Sequence, residues 1–502
     1  MFDKILIANR GEIAIRVIRA CRELGIKSVA VYSEADRESL HVRYADEHYC
    51  IGPAKPATSY LDINKIVEAA KKSGSEAIHP GYGFLAEIPA FAEECESNRI
   101  EFIGPPSKAL RKMGSKITAR KNMINAEIPV IPGSMHALKD EEEVAEVAET
   151  IGYPVLIKAV YGGGGKGMRI VNNDAEIEKA MELARSEAES SFGSSEVYVE
   201  KLLTNPRHIE LQILADKKGN IIHLGERECS IQRRYQKLIE ETPSPMMTKK
   251  LREAIAAKAI EGVSAINYEN AGTIEFLIDG EANFYFLEMN TRLQVEHIIT
   301  ELVTGVDIVK EQMRIASGEG LTYRQGDISM MGHALNCRIN SEDPYSDFVP
   351  CPGTVTEYHP PGGPGVRVDS ALYAGYTIPI FYDSLVAKLA VWGTNRDEAI
   401  SRMKNALNEY VVEGIRTTMP LHKAILNDEH FRRGKIHTDF VQERIGSLMA
   451  EDEFEGEKIA ALSAVLAAYL SNRQEGLALV PQRSAKGVSA WTMAARRALM
   501  NP

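Results

Sequence analysis

Basic excess, long apolar runs and paired cysteines are all missing from this chain. Its 59 lysines and arginines are outnumbered by 70 aspartates and glutamates in 502 residues, for a formal net charge of −11. No basic stripe could track a phosphate backbone, which argues against nucleic acid as a partner. No apolar run approaches the about 20 residues of a membrane span, and the N-terminus enters a strand directly, unlike a signal peptide. Cytoplasm is therefore the expected compartment and no membrane partner is expected. The six cysteines, at positions 21, 50, 95, 229, 337 and 351, show no C-x-x-C or histidine-linked spacing, the pattern of reduced thiols. Two familiar nucleotide loops are also lacking. The turn Asn9-Arg10-Gly11-Glu12 does not have the G-x-G-x-x-G spacing, and the glycine-rich run at 162–167 fails the G-x-x-x-x-G-K-[ST] pattern because Met168 follows its last glycine. There is no internal repeat and no low-complexity tract. The 44% hydrophobic and 26% charged content is that of a globular enzyme, and the length suggests about three or four domains.

The most informative segment present is Glu288-Met289-Asn290-Thr291-Arg292-Leu293-Gln294-Val295-Glu296-His297, which ends the apolar run 284–287. A second apolar run, 273–278, precedes it across the turn Asp279-Gly280-Glu281-Ala282-Asn283. If Asp279 pairs with Phe284, Glu275 faces Glu288 at about 5 Å, where like charges destabilise a sheet. Asn290 shares that face by the two-residue period. A shared divalent cation would turn repulsion into coordination, and an all-oxygen set suits Mg²⁺ bound with substrate phosphates. A polar hairpin rim in a slipped register is the alternative.

The first hundred residues alternate strand (4–8), helix (12–24, stopped by Gly25) and strand (28–32), as in a parallel sheet flanked by helices. After a short strand at 77–78, the turn-rich loop 79–87 belongs in a cleft at the carboxyl ends of the strands. Asp140-Glu141-Glu142-Glu143 opens a solvated helix. Strand 154–160 runs into four consecutive glycines and returns through 169–172, a hairpin whose bare backbone N–H groups can approach phosphate oxygens. Lys158 and Lys166 favour a phosphate-covering flap there over a plain linker. Farther on, His333–Asn340 alternates with Leu335, Cys337 and Ile339 on one face. Arg338 points the other way, to solvent or to a site. Beyond about 450 an amphipathic helix (Ile459, Leu462, Val465, Leu466, Tyr469) and a basic segment around Trp491 carry no catalytic signal.

Taken in order, these motifs resemble the biotin carboxylase component of biotin-dependent carboxylases, an ATP-grasp enzyme, over about residues 1–447. The matching strings are 8–14, 79–87, Met113-Gly114-Ser115-Lys116, 162–168, Glu200-Lys201, Pro206-Arg207-His208-Ile209-Glu210, 229–234 and 288–297. The resemblance implies a multidomain α/β and α+β chain. Its parts would be an N-terminal parallel αβα domain (1–114), an ATP-grasp domain (115–330) with a mobile lid at about 132–203, a strand-rich C-terminal biotin carboxylase domain (331–447), and a helical tail (448–502) suited to subunit contact.

The implied chemistry is ATP-dependent formation of carboxyphosphate from bicarbonate, its breakdown to CO₂ and phosphate, and capture of CO₂ by biotin. Lys116 and Lys158 match phosphate-binding lysines. Gly163, Gly164, Gly165, Lys166 and Met168 match the flap that would close over the phosphates, excluding water from a labile intermediate. Glu200, Lys201 and Leu203 match the adenine-reading segment, while His208, Gln232 and Glu275 match further ATP-site positions. Glu275, Glu288 and Asn290 would hold Mg²⁺ or Mn²⁺. Arg292, Lys237, Gln294 and the Val295 main chain match the bicarbonate pocket, since a guanidinium can pair bidentately with a planar anion. Glu296 matches the general base, needing little pKa elevation. Arg338 matches the group that stabilises the enolate of biotin, with Tyr82 near the ring. One departure is Tyr235, where relatives commonly carry histidine. No Ala-Met-Lys-Met attachment motif or carboxyltransferase-length region is present, so biotin is expected on a separate carrier or carboxyltransferase subunit. The family suggests a homodimer within a larger complex. The tail and this split organisation point to pyruvate as the final acceptor, with an acetyl-CoA or propionyl-CoA carboxylase as the alternative. Other ATP-grasp ligases would not need Arg338 together with the 79–87 loop.

Overall fold

A computed structural model describes residues 1–161, 167–449 and 462–466. The flap positions Gly163, Gly164, Gly165 and Lys166 lie outside the described residues, as does the tail from 450 on apart from 462–466, which is helical.

Residues Met1–Met449 form one compact unit. Its N-terminal part is a five-stranded parallel sheet made of β1 (Lys4–Ile7), β2 (Lys27–Ser33), β3 (Glu47–Gly52), β4 (Ala77–His79) and β5 (Glu101–Phe102), in the order β3-β2-β1-β4-β5. Helix α1 (Gly11–Glu23) follows β1. Glu12 stands in its first turn and Arg22 in its last, each at the end of the dipole that favours its charge. Gly25, at φ 72°, takes the left-handed conformation that ends the helix. The apolar residues of α1 and β1 pack with Val309 and Met313 of a later helix, Ile308–Ala316.

A separate three-stranded sheet is made of β6 (Val155–Ala159), β7 (Arg169–Val171) and β8 (Val197–Lys201), with β6 antiparallel to both neighbours. The two arms of the glycine-rich hairpin are thus paired as the sequence predicts.

The largest sheet carries the site. Its strands are β9 (Arg207–Ala215), β10 (Ile221–Arg233), β11 (Gln236–Thr242), β12 (Asn270–Ile278), β13 (Phe284–Asn290), β14 (His333–Asn340), β15 (Val366–Ser370) and β16 (Leu385–Gly393). The order is β13-β12-β9-β10-β11-β14-β16-β15, antiparallel throughout. Ile239 pairs with Cys337 and Glu240 with Asn336, so the sheet runs without a break from β11 to β14. One face of β14 and β16 buries Leu335, Cys337, Ile339, Leu389 and Val391 in a core shared with the helix Arg396–Glu409. On the other face lies α2 (His297–Thr304), whose Ile298, Ile299 and Val303 cover Ala334 and Ala390.

Candidate functional site

Glu275 faces Glu288 across β12 and β13, but not by the register that the turn predicts. Ile278, not Asp279, pairs with Phe284, and Phe276 pairs with Phe286. A bulge at Leu287 then adds one residue to β13, which restores the expected Glu275–Glu288 pairing and the Thr273–Asn290 pairing beyond it. On its other side Glu275 faces Glu210 of β9, so three glutamates stand in a row across three strands. At an effective dielectric of about 20, two such charges about 5 Å apart repel by about 3 kcal/mol. Cations that reach Glu210 and Glu275 offset this repulsion.

Lys237 from β11 is the principal one. Its ammonium lies 2.6 Å from Glu210, 2.8 Å from Glu275 and 2.7 Å from Glu296. Burial alone would favour its neutral form, yet the three carboxylates hold its pKa well above the usual lysine value. Glu210, Cys229 and Glu296 are close enough to suggest a metal cluster, but the Lys237 ammonium already sits among these carboxylates. Glu210 also pairs with the fully buried Arg227.

Glu296 is completely buried. Burial opposes its ionisation, but Lys237, Arg338 and Arg227 outweigh it and hold the carboxyl well below its ordinary range. It is thus ionised, as a proton acceptor must be. It lies beneath Lys237 and Arg338 and, unlike them, does not line the cleft. The alternative of a solvent-facing Arg338 is corrected: its guanidinium lies 2.6 Å from Glu240 and 2.8 Å from Glu296. Two of its five N–H groups are so engaged.

Arg292 donates to Glu87 (2.9 Å), to Gln294 Oε1 (2.9 Å) and to Asn290 Oδ1 (2.8 Å). Glu87 also accepts from the Thr291 N–H, at 2.9 Å, which ties the 79–87 loop to residues 291–292. Asn290 and Gln294 each donate an amide hydrogen to Glu275 Oε1, at 2.9 and 3.0 Å.

Lys237, Glu275, Asn290, Arg292, Gln294 and Arg338 line a cleft of about 1070 Å³. The same walls carry Lys116, Lys158, Met168, Glu200, Lys201, Leu203, His208, Gln232 and Tyr82, with His208 2.9 Å from Glu275 and Gln232 paired with Lys237 across the strands. Each of these described sequence-predicted positions therefore opens on a single space. Glu200, expected beside adenine, uses its own carboxylate to grip Lys158 at 2.6 Å and Arg120 at 2.7 Å. Lys116 donates to the Ala159 carbonyl at 3.2 Å, and burial lowers its pKa. Tyr235, at φ 64°, forms the tip of the β10–β11 turn, half-exposed at the rim.

The donor set suits a divalent cation. Burial, and then Glu275 opposite, push the Glu288 carboxyl above its usual range. Glu275 goes the other way, because Lys237 and His208 outweigh its burial. The pair therefore shares its charge unequally, and a divalent ion between them would let both ionise. Asn290 is near enough to join, although its oxygen faces Arg292 here.

Reasoning from sequence did not assign a role to Glu210, Glu240, Glu87 or Lys388. Glu210 had a readable signal, since His208, Glu210 and Gln212 alternate with Ile209, Leu211 and Ile213. Lys388 had one too, as a lone charge within an apolar strand.

Comparisons with known proteins agree along nearly the whole described chain. Residues 1–110 match the family model "Biotin carboxylase, N-terminal domain", 115–324 match "Carbamoyl-phosphate synthase L chain, ATP binding domain", and 336–443 match "Biotin carboxylase C-terminal domain". One subunit of the pyruvate carboxylase of Methanothermobacter thermautotrophicus is 56% identical over 491 residues, 94% of this chain and 100% of that one. Biotin carboxylase 1 of Bacillus subtilis is 53% identical over 443 residues, 88% and 98% of the two chains. Among solved structures, the biotin carboxylase domain dimer of Hydrogenobacter thermophilus 2-oxoglutarate carboxylase, in complex with MgADP, ADP and bicarbonate, matches with a TM-score of 0.88 at 50% identity. That match covers 89% of this chain and 99% of the other.

Proposed function

The chain belongs to the biotin carboxylase family of ATP-dependent ligases, and on that premise we propose that it is the biotin carboxylase subunit of a two-subunit pyruvate carboxylase. Biotin would arrive on a separate carrier and carboxyltransferase subunit, and the chain would work as a homodimer in the cytoplasm. In keeping with that compartment, the six cysteines are free, and no described helix is long and apolar enough to cross a membrane.

One observation carries the chemical reading: Lys237 and Arg338 both pair with the ionised Glu296 and line, with Arg292, a cleft whose walls also bring Lys116, Lys158 and the Glu275–Glu288 pair. In the proposed sequence ATP lies with adenine against 200–203 and its phosphates near Lys116, Lys158, His208 and Gln232. Glu275, Glu288 and Asn290 would hold Mg²⁺ or Mn²⁺, which would neutralise phosphate charge. Arg292, Lys237, Gln294 and the Val295 N–H would hold bicarbonate. Glu296 takes its proton as the oxygen attacks the γ-phosphate, giving carboxyphosphate and ADP. Carboxyphosphate then separates into CO₂ and phosphate. Arg338 stabilises the negative charge that develops on the ureido oxygen of biotin as its nitrogen gives its proton to the released phosphate and takes up CO₂.

Glu288→Gln should raise the Mg²⁺ concentration for half-maximal turnover by about tenfold or more, since a neutral amide is a poorer ligand for a hard cation. The KM for bicarbonate should change little. Equal effects on both in a Mg²⁺ titration would remove Glu288 from the metal site.

Pyruvate is favoured by the longer match to the Methanothermobacter pyruvate carboxylase chain, 94% of this chain against 88% for biotin carboxylase 1. The test is to isolate the chain with its biotin-bearing partner and follow labelled bicarbonate into pyruvate, acetyl-CoA, propionyl-CoA and 2-oxoglutarate. Fixation into pyruvate supports the assignment, and fixation into another acceptor alone replaces it.

A further inference from the structure

Lys388 on β16 is completely buried, an unusual place for an ammonium. It stands directly opposite Arg338 on β14 and opposite Asp369 on β15. Two cations facing one another across a sheet destabilise it unless each has its own anion or dipole. Arg338 turns to Glu240 and Glu296. Lys388 turns the other way. Its ammonium lies 2.9 Å from Glu12 Oε2 in the first turn of α1 and 3.9 Å from Asp369 Oδ2. Asp369, however, is engaged by Arg367 through both oxygens, which leaves Glu12 as the main carboxylate partner of Lys388, its pKa pushed up by burial to about 7. The ammonium also donates to the main-chain carbonyl of Val295, at 3.3 Å.

That carbonyl belongs to the peptide unit that carries the Glu296 N–H. The preceding unit, which carries the Val295 N–H, is held in the same manner: His297 Nδ1 lies 2.8 Å from the Gln294 carbonyl oxygen. Burial, then Lys388, Arg16 and Arg367, keep the imidazole pKa well below its usual value, so a neutral ring donates there. A trans peptide points its N–H opposite to its carbonyl. Gripping both carbonyls from behind therefore turns the Val295 N–H away from His297 and fixes the backbone from which Glu296 projects. A buried ion pair is weak as a source of stability, because apolar residues of similar volume often do as well. Placement of this segment is the stronger account of the buried ammonium.

We propose that Lys388 is a positioning residue for the bicarbonate step, its ammonium holding the Val295 carbonyl, and with it the peptide unit that carries the Glu296 N–H, so that the Glu296 carboxylate keeps the geometry the anion requires. This rests on the reading that residues 292–296 bind bicarbonate. The test is the double variant Lys388→Met with Glu12→Gln, which removes both charges at nearly constant volume. Lys388→Gln with Glu12→Gln serves in its place if the first does not fold. ATP hydrolysis without biotin is followed against bicarbonate and against ATP. In the folded variant the KM for bicarbonate should rise about tenfold or more with a fall in kcat, since small misplacements of reacting groups are costly, while the KM for ATP stays within about twofold. A folded variant whose bicarbonate KM and kcat match wild type overturns the proposal, as does an equal loss in the KM for ATP. Wild-type ATPase that does not saturate with bicarbonate would instead overturn the reading of the pocket.

Discussion

Glu296→Gln should bind MgATP as wild type does and yet lose bicarbonate-dependent ATP turnover by about a hundredfold to ten-thousandfold, the range of a positioned general base. The substitution keeps the size of the side chain and removes only its charge and its basicity. ATP binding should survive because Glu296 is buried beneath Lys237 and Arg338 and does not line the cleft. Folding is also expected to survive, since Lys237 keeps Glu210 and Glu275, and Arg338 keeps Glu240. The pH dependence has a definite sign. The folded-state carboxyl titrates well below its usual range, after burial is outweighed by Lys237, Arg338 and Arg227, so Glu296 stays ionised as pH falls from neutrality and is protonated only in strong acid. Its contribution to stability is likewise present above the ordinary carboxyl pKa and lost as pH falls through the depressed one. Nucleotide affinity by calorimetry and phosphate release with and without bicarbonate check the prediction. Turnover like wild type would take the base role from Glu296.

Arg338→Gln should separate the two halves of the reaction. Bicarbonate-dependent ATP hydrolysis without biotin should persist, whereas carboxylation of free biotin should fall by about a hundredfold to a thousandfold, the usual effect of losing one donor to a developing oxyanion. The guanidinium spends two N–H groups on Glu240 and Glu296, and its remaining donors can face the cleft it lines. Loss of the cation leaves Glu240, already pushed above the usual carboxyl range by burial, free to take a proton, so the core has a route to tolerate the change. The ratio of biotin carboxylated to phosphate released is the measurement. An unchanged ratio would place biotin elsewhere.

Much of the site was legible because it is written locally. Glu288, Asn290, Arg292, Gln294 and Glu296 lie within nine residues, and the strand period of two puts Glu288 and Asn290, at the end of β13, on one face. Even so, the hairpin reached its predicted Glu275–Glu288 pairing by compensation, a turn one residue off and a bulge at Leu287. Turn composition does not encode a bulge, which depends on packing against the neighbouring strand. Arg338 was legible as a residue that leaves the apolar face of its strand. Whether it met solvent or a carboxylate depended on β11 lying beside β14, a pairing between segments about a hundred residues apart.

The sequence by itself determined which chemical groups this protein has and which of them share a strand face, because backbone periodicity is local and needs no partner. Only the tertiary structure decided that Lys237 would stand among Glu210, Glu275 and Glu296, and that Lys388 would reach the Val295 carbonyl from behind. Those arrangements arise from the order of strands in one sheet, and the energy that fixes each buried ammonium comes from anions and dipoles supplied by distant parts of the chain.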